Sequence, residues 1–296
     1  MKPLPLIYNP MARGGRSRVP ERALRELAEK YGYRLELWPT QAPGHARELA
    51  ARAREVGYEV VAVFGGDGTY NEAASGLVNG DTAMVVLPGG TTSVLVYDLG
   101  LPRDVIHAFR LQLGGQPRKR YLGSTDKGQI FLLMLSVGPD ALILYDLPWV
   151  LKRYAGKVGI TLQAFWEFFF ARLPRFQVHL NGKAFQAGWC IVGKGRFYGG
   201  PFAATPGANP FAPGLEVVVN ARWGRRATVP FFFAIPFGKH LQQKDVFHCG
   251  AGQVVITGEG RIPYQLDGDQ AGFLPVKVTA SQDFVLVLMP DTEPVS

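Results

Sequence analysis

The spacing of apolar and polar positions changes partway along the chain. Up to residue 113, short apolar runs alternate with stretches of helical period. Pro5–Tyr8, Tyr33–Trp38, Val60–Phe64 and Ala83–Leu87 read as strands. Between them, Leu24, Leu27 and Tyr31 form one helical stripe, and Ala46, Leu49, Ala50 and Ala53 form another. A third helical pattern runs from Thr69 through Ala73, Ala74 and Leu77, and Asp104–Leu113 closes the series. Fully apolar strands that alternate with helices predict a parallel sheet covered on both faces. Gly114–Arg120, GGQPRKR, reads as a linker. Beyond it come short strand-like runs at Ile130–Val137, Gln177–Leu180, Trp189–Val192, Leu215–Val219, Val254–Thr257 and Phe284–Leu288. Strands without intervening helices predict a separate antiparallel sandwich. The expected fold class is therefore α/β plus all-β. A Rossmann-like three-layer α/β domain covers 1–118 and a β-sandwich covers 119–296, with the last residues allowed to pack back on the first domain.

Composition narrows the class without naming a ligand. The 296 residues are 47% hydrophobic and 19% charged, an ordinary globular balance. Lys and Arg exceed Asp and Glu to give +8, which suits nucleotide phosphates or anionic lipid head groups. The arginines are scattered and follow no zinc-finger or RNA-motif spacing, so nucleic acid is not an expected partner. Cys190 and Cys249 make neither a disulfide framework nor a metal spacing, and read as thiols of a reducing compartment. No run approaches the ~18 apolar residues of a membrane span. The expected location is the cytoplasm, with contact at the inner face of the membrane left open.

The chemistry concentrates in Val60–Glu72, VVAVFGGDGTYNE. A buried strand runs into Gly65, Gly66 and Gly68, and a helix opens at Thr69. Strand, glycine turn and helix start bring main-chain N–H groups and the positive end of a helix dipole to one place, which suits a phosphate. An ordinary βα turn that happens to use glycine remains the competing reading. A second turn, Pro88–Ser93 (PGGTTS), follows the next strand. On adjacent parallel strands two such turns face the same end of the sheet.

GGDGTYNE resembles the signature of the diacylglycerol-kinase and sphingosine-kinase catalytic family, including its soluble bacterial lipid-kinase members. The shorter GGDGT is shared with NAD kinases and, loosely, with 6-phosphofructokinases. The resemblance implies an NAD-kinase/phosphofructokinase-like first domain. It implies nucleotide contacts from Asn9 and Arg13 in NPMARGGR, from Thr40, and from Gly65, Gly66, Asp67, Gly68, Thr69, Asn71 and Glu72. Gly90, Thr91 and Thr92 of the second turn belong with them. Further landmarks are Gly138-Pro139-Asp140-Ala141, Tyr198-Gly199-Gly200-Pro201 and Thr205-Pro206-Gly207-Ala208. In Gln265-Leu266-Asp267-Gly268-Asp269 the resemblance points to Asp267 as the general base for a lipid hydroxyl, with Asp269 beside it. A plain hairpin turn explains the same Asp-Gly. Asp67 is the second catalytic candidate, meeting Mg²⁺ on the phosphates or orienting the acceptor.

The sequence also departs from that pattern. Where the family has Asn-Asp and a following Arg, this chain has Ser93-Val94 and Tyr97. Where some members bind a structural Mg²⁺ through aspartates, Ala212-Pro213 leaves Glu216 as the one hard oxygen ligand, so that metal is expected to be missing. Two aromatic tracts, Phe165–Phe170 and Phe231–Phe237, read as core packing or as a surface for an acyl chain or bilayer beside Lys152, Arg153, Lys157 and Arg172. The resemblance implies an ATP-dependent lipid kinase, with ATP and its Mg²⁺ as cofactors and an amphipathic lipid as acceptor, acting in an interdomain cleft. A non-catalytic lipid- or nucleotide-binding descendant is the alternative, and an NAD kinase the weaker one. The acceptor lipid and the oligomeric state, a homodimer included, stay open.

Overall fold

The structure, a computed structural model, describes residues 1–10, 18–146 and 174–291. The tract Phe165–Phe170 and the cations Lys152, Arg153, Lys157 and Arg172 lie outside the described residues, as does Arg13. The chain forms two compact units. One comprises Met1–Leu122, Pro210–Ala212 and the chain from Gln282; the other comprises Gly123–Asn209 and Pro213–Ser281.

The first unit is built on parallel strands β1 (Lys2–Tyr8), β2 (Tyr33–Pro39), β3 (Val60–Gly65) and β4 (Ala83–Pro88), in the order β2-β1-β3-β4. The order reverses direction between β1 and β3. Helices α1 (Glu21–Lys30) and α5 (Val105–Leu113) pack together, and so do α2 (His45–Val56) and α3 (Asp67–Leu77). Alternation along the strands feeds one core: Leu4, Leu6, Val60, Ala62, Phe64, Val85 and Leu87 join Leu24, Leu27 and Phe109 of α1 and α5. The intervening Ile7, Val61, Val63, Met84 and Val86 are buried as well, as strands covered on both faces require. A short helix α4 (Val94–Asp98) precedes α5.

One expectation is corrected. The basic stretch Gly114–Arg120 is not a linker: Gly114 and Gly115 end α5, and Gln116–Thr125 is strand β5. A buried ion pair explains why so polar a stretch is ordered. Arg120 Nη2 lies 2.7 Å from Asp98 Oδ2, both side chains having no exposed surface.

The second unit is built from antiparallel strand pairs among the described residues. One sheet holds β14 (Val246–Ala251), β13 (Leu215–Asn220), β10 (Trp189–Gly193), β7 (Met134–Val137), β16 (Pro263–Leu266) and β17 (Asp269–Phe273), in that order. Facing it are β15 (Gln253–Gly258), β8 (Phe176–Leu180), β9 (Lys183–Ala187) and the opening residues of β18 (Val276–Met289). Val137, Cys190, Val192, Val217 and Val219 from the first sheet meet Val178, Leu180, Val254, Ile256 and Val278 from the second. The alternate residues Trp189, Ile191 and Val218 point the other way and are covered by Phe231 of helix α7 (Arg225–Ala234) and by Ile235. Between β7 and its neighbours, α6 (Pro139–Asp146) opens at the landmark Pro139-Asp140.

Candidate functional site

The carboxyl ends of β1 to β4 carry the first unit's candidates. Asn9 follows β1, and Thr40 follows β2 with its N–H on Tyr8 O at 2.9 Å. Gly65 ends β3, and Gly66 with extended backbone enters α3. Gly66, the residue that enters that helix, has no side chain with which to cap it, and the first-turn N–H groups point out of the helix start. Pro88 ends β4 and leads into Gly89 and Gly90. The structure thus brings Asn9, Thr40, Gly65–Glu72 and Gly90–Thr92 to one edge, flanking the reversal in strand order where α/β sheets take ligands.

The two glycine turns touch backbone to backbone. A Cβ on Gly90 would stand 2.6 Å from Gly66 Cα, and one on Gly89 would stand 2.8 Å from Gly65 N. Gly89 N–H donates to Gly65 O at 2.9 Å. The buried Tyr70 hydroxyl lies 2.7 Å from both Gly65 O and Leu87 O, sharing its proton between the ends of β3 and β4. Burial pushes its pKa well up. Glycine is required here by close approach: Gly65, Gly89 and Gly90 are buried, and Gly66 and Gly68 are partly exposed at the edge.

Asp67 joins the same two turns. Its carboxylate accepts N–H from Val94 and Leu95, each at 3.0 Å, and so caps α4. The backbone of the departed Ser93-Val94 pair is thereby held whatever its side chains. Glu72 reaches Ala46 N at the start of α2 at 3.3 Å. Thr69 is half-buried beneath Gly65, Thr92 is half-buried and Thr91 is exposed. Sequence reasoning missed Arg103. Its guanidinium donates to Thr91 O and to Tyr97 OH, each at 3.0 Å, and stands over the Tyr97 ring. A cation therefore serves the second turn although position 97 no longer supplies one. The signal was an arginine directly after the Leu99–Pro102 landmark.

Asp267 and Asp269 belong to the second unit, at the turn between β16 and β17. Asp267 has positive φ (50°) and is followed by Gly268 at 91°. Its carboxylate accepts three backbone N–H groups: Leu132 at 2.7 Å, Leu133 at 2.8 Å and Met134 at 2.8 Å. Asp267 N–H donates to Met134 O at 2.9 Å. Asp269 is exposed two residues further on. Gln265 links this turn to Asp140. Its Oε1 accepts from Gly268 N at 2.8 Å and its Nε2 donates to Asp140 Oδ2 at 3.2 Å. Ser136 and Tyr198 hydroxyls also donate to Asp140, each at 3.0 Å. Burial raises the Asp140 pKa, and the Ser136, Tyr198 and Gln265 donors oppose that rise.

Glu216 accepts Gly207 N at 2.6 Å and lies 3.6 Å from His248 Nδ1. Burial raises its pKa. The nearby turn is held by a cation from the chain itself, since buried Lys194 Nζ donates to Asn209 O at 2.9 Å and Gly214 O at 3.1 Å. Among the described residues, no three His, Cys, Asp or Glu side chains stand together as a metal site.

A parallel-sheet unit with paired glycine turns, followed by an antiparallel sandwich, defines a class. Residues 3–125 match the diacylglycerol kinase catalytic domain, and residues 151–289 match the YegS C-terminal NAD kinase beta sandwich-like domain. The chain belongs to the diacylglycerol kinase catalytic-domain family, with the YegS-type C-terminal domain after the catalytic one. It is 25% identical to a diacylglycerol kinase of Bacillus subtilis over 98% of this chain and 97% of that one. It is 24% identical to a diacylglycerol kinase of Staphylococcus carnosus over 96% and 94% of the two. A diacylglycerol kinase crystal structure from Bacillus anthracis shares the fold, with a TM-score of 0.74 at 20% identity, covering 98% of each chain. No described helix is long and apolar enough to cross a membrane.

Proposed function

We propose that the protein is an ATP-dependent lipid kinase that phosphorylates a hydroxyl of a diacylglycerol-like or other amphipathic lipid. The observation that carries the reading is the backbone contact between the Gly65–Gly68 and Gly89–Gly90 turns, beside the start of α3 at Gly66. Such turns fit a polyphosphate because their close glycine packing sets the partly exposed Gly66 and Gly68 at a helix start, where main-chain N–H groups favour an anion. In the proposed roles, Gly66, Gly68 and Gly90 offer N–H groups, while Thr69, Thr91 and Thr92 offer hydroxyls. Arg103 offsets phosphate charge, and Asn9 and Thr40 border the nucleoside. Magnesium arrives with the nucleotide and screens charge that builds up on the transferring phosphoryl group.

Asp67 and Asp267 spend their carboxylates on backbone donors. Taking a proton at Asp267 would disturb three hydrogen bonds that hold residues 132–134. We therefore give Asp267 the placing of the turn and Asp269, exposed on it, the acceptor hydroxyl. The same commitment of both carboxylates favours the second reading, a family member that binds nucleotide without turnover.

The test incubates the protein with ATP–Mg²⁺ and a panel of diacylglycerols and sphingoid bases, and looks for phosphorylated lipid by mass spectrometry. Wild type should form product, and Asp269→Asn should lower kcat by about 10²–10⁴-fold at unchanged Tm. Asp267→Asn should lower both kcat and Tm. Wild-type turnover by Asp269→Asn would return the base to Asp267. A Tm raised by ATP–Mg²⁺ without product from any lipid would establish the binding protein instead.

A further inference from the structure

A buried lysine gathers the two ends of the turn that leads into β13. Lys194 directly follows β10 and has 1% of its surface exposed. Its main-chain N–H is fixed on Leu133 O at 2.8 Å. From there Nζ donates to Asn209 O at 2.9 Å and to Gly214 O at 3.1 Å, one carbonyl on each side of residues 210–213. Taking an ammonium out of water is costly unless acceptors replace the lost hydration. Main-chain oxygens meet that need here, and they are also atoms that a hard metal ion seeks.

This is the stretch in which some family members hold a structural Mg²⁺, and the donor set of this chain does not fit one. Such an ion takes about six oxygens at ~2.1 Å, with carboxylates among them. Ala212-Pro213 offers no carboxylate. Glu216 pairs with Gly193 in the β10–β13 ladder and commits its carboxylate to Gly207 N at 2.6 Å, with His248 Nδ1 at 3.6 Å. Burial also raises its pKa, which makes it a poorer anionic ligand. The carbonyls of Asn209 and Gly214 already face an ammonium, whose charge repels any metal that would bind the same atoms.

We infer that the Lys194 ammonium is the resident cation of the 209–214 turn and takes the place of a structural divalent metal. The second unit then holds this turn with a charge written into its own sequence, and its stability is independent of divalent ions. The inference goes beyond the kinase reading and stands without it, because the Mg²⁺ carried by a nucleotide is a separate ion and the test uses neither nucleotide nor turnover.

Thermal unfolding of the nucleotide-free protein tests it. Wild type stripped with EDTA should melt within about 1 °C of the same protein in millimolar MgCl₂ at matched ionic strength. A metal bound to the native state at about a hundred times its Kd would instead raise Tm by roughly 5–10 °C. Lys194→Met keeps the length of the side chain and loses its charge. It leaves Asn209 O and Gly214 O without that donor, so it should melt several degrees lower, in EDTA and in Mg²⁺ alike. Lys194→Ala/Pro213→Asp removes the ammonium and supplies a carboxylate. This variant should melt low in EDTA and recover several degrees in Mg²⁺. The proposal fails if wild type loses stability to EDTA or gains it from Mg²⁺, a result that needs no variant. It fails if Lys194→Met melts with wild type. A double variant indifferent to Mg²⁺ would show that the ammonium does not stand where a metal can, and would also overturn it. A protein without kinase turnover would leave all of these results unchanged.

Discussion

His240 has no exposed surface, and its Nε2 stands 2.9 Å from Ala204 O. That contact makes Nε2 the protonated nitrogen of a neutral ring. Nδ1 is buried with no hydrogen-bond partner among the described residues. A second proton would place charge on that nitrogen, and burial accordingly lowers the pKa from its ordinary 6.5; His248 contributes in the same direction. The folded state then binds fewer protons than the unfolded chain, so stability is present above 6.5 and lost as pH falls toward the lowered value. The urea midpoint should drop between neutral pH and mild acid, and His240→Gln, which keeps a donor for Ala204 O, should drop less. The raised pKa values of Asp140 and Glu216 act with the opposite sign, so the difference between variant and wild type isolates the histidine. At this scale the sequence marks positions better than it marks roles. Asp67 and Asp267 stand out from their motifs, but their partners, the N–H groups of 94–95 and 132–134, come from distant stretches without a signature of their own. Arg103 and Tyr70 matter for the same reason and were equally hard to see.

Among the elements, β5 shows where periodicity misleads. GGQPRKR has the composition of a solvated linker, yet Arg120 is the fully buried partner of Asp98. No local pattern distinguishes an arginine with a buried acid waiting for it from one bound for water. Arg120→Ala should cost about 3–5 kcal/mol in urea unfolding, because it leaves a carboxylate buried without its ion-pair partner. A loss under about 1 kcal/mol would mean that water reaches Asp98 after all. The predicted run Ile130–Val137 is really two short strands, Ile130–Phe131 and Met134–Val137. Its middle is bent so that the amides of Leu132 and Leu133 can meet Asp267. On α7 the tract Phe231–Phe233 was open between core and surface, and the helix splits it: Phe231 goes inward, Phe232 and Phe233 outward.

At the scale of the whole molecule, the fold class was legible because strand–helix alternation and strand succession differ in period. The last residues were allowed to pack back on the first domain, but how they would do so was harder to see. Phe284–Leu288 reads as a strand from its residues, but nothing local says that Leu286 and Val287 will run parallel beside Ala83 and Met84. Asn79 adds a second tie, exchanging hydrogen bonds with Asp283 and with the Phe284 backbone. Residues 1–125 expressed alone would lack that strand and expose the apolar edge of β4. The fragment should aggregate or show weakened near-UV signals, and adding the missing strand through a short linker should restore them. A monomeric, cooperatively unfolding fragment would show that the terminal strand is dispensable.

The contact between Gly66 and Gly90 also bears on the thermodynamics of the anion that the proposed reading puts at this edge. Its spacing is set by main-chain atoms in van der Waals contact and by the Tyr70 hydroxyl, with no rotamers to choose. A guest arriving there meets a receptor already in its final shape. Little ordering entropy is then charged against the complex, and even weak amide contacts can count toward affinity almost in full.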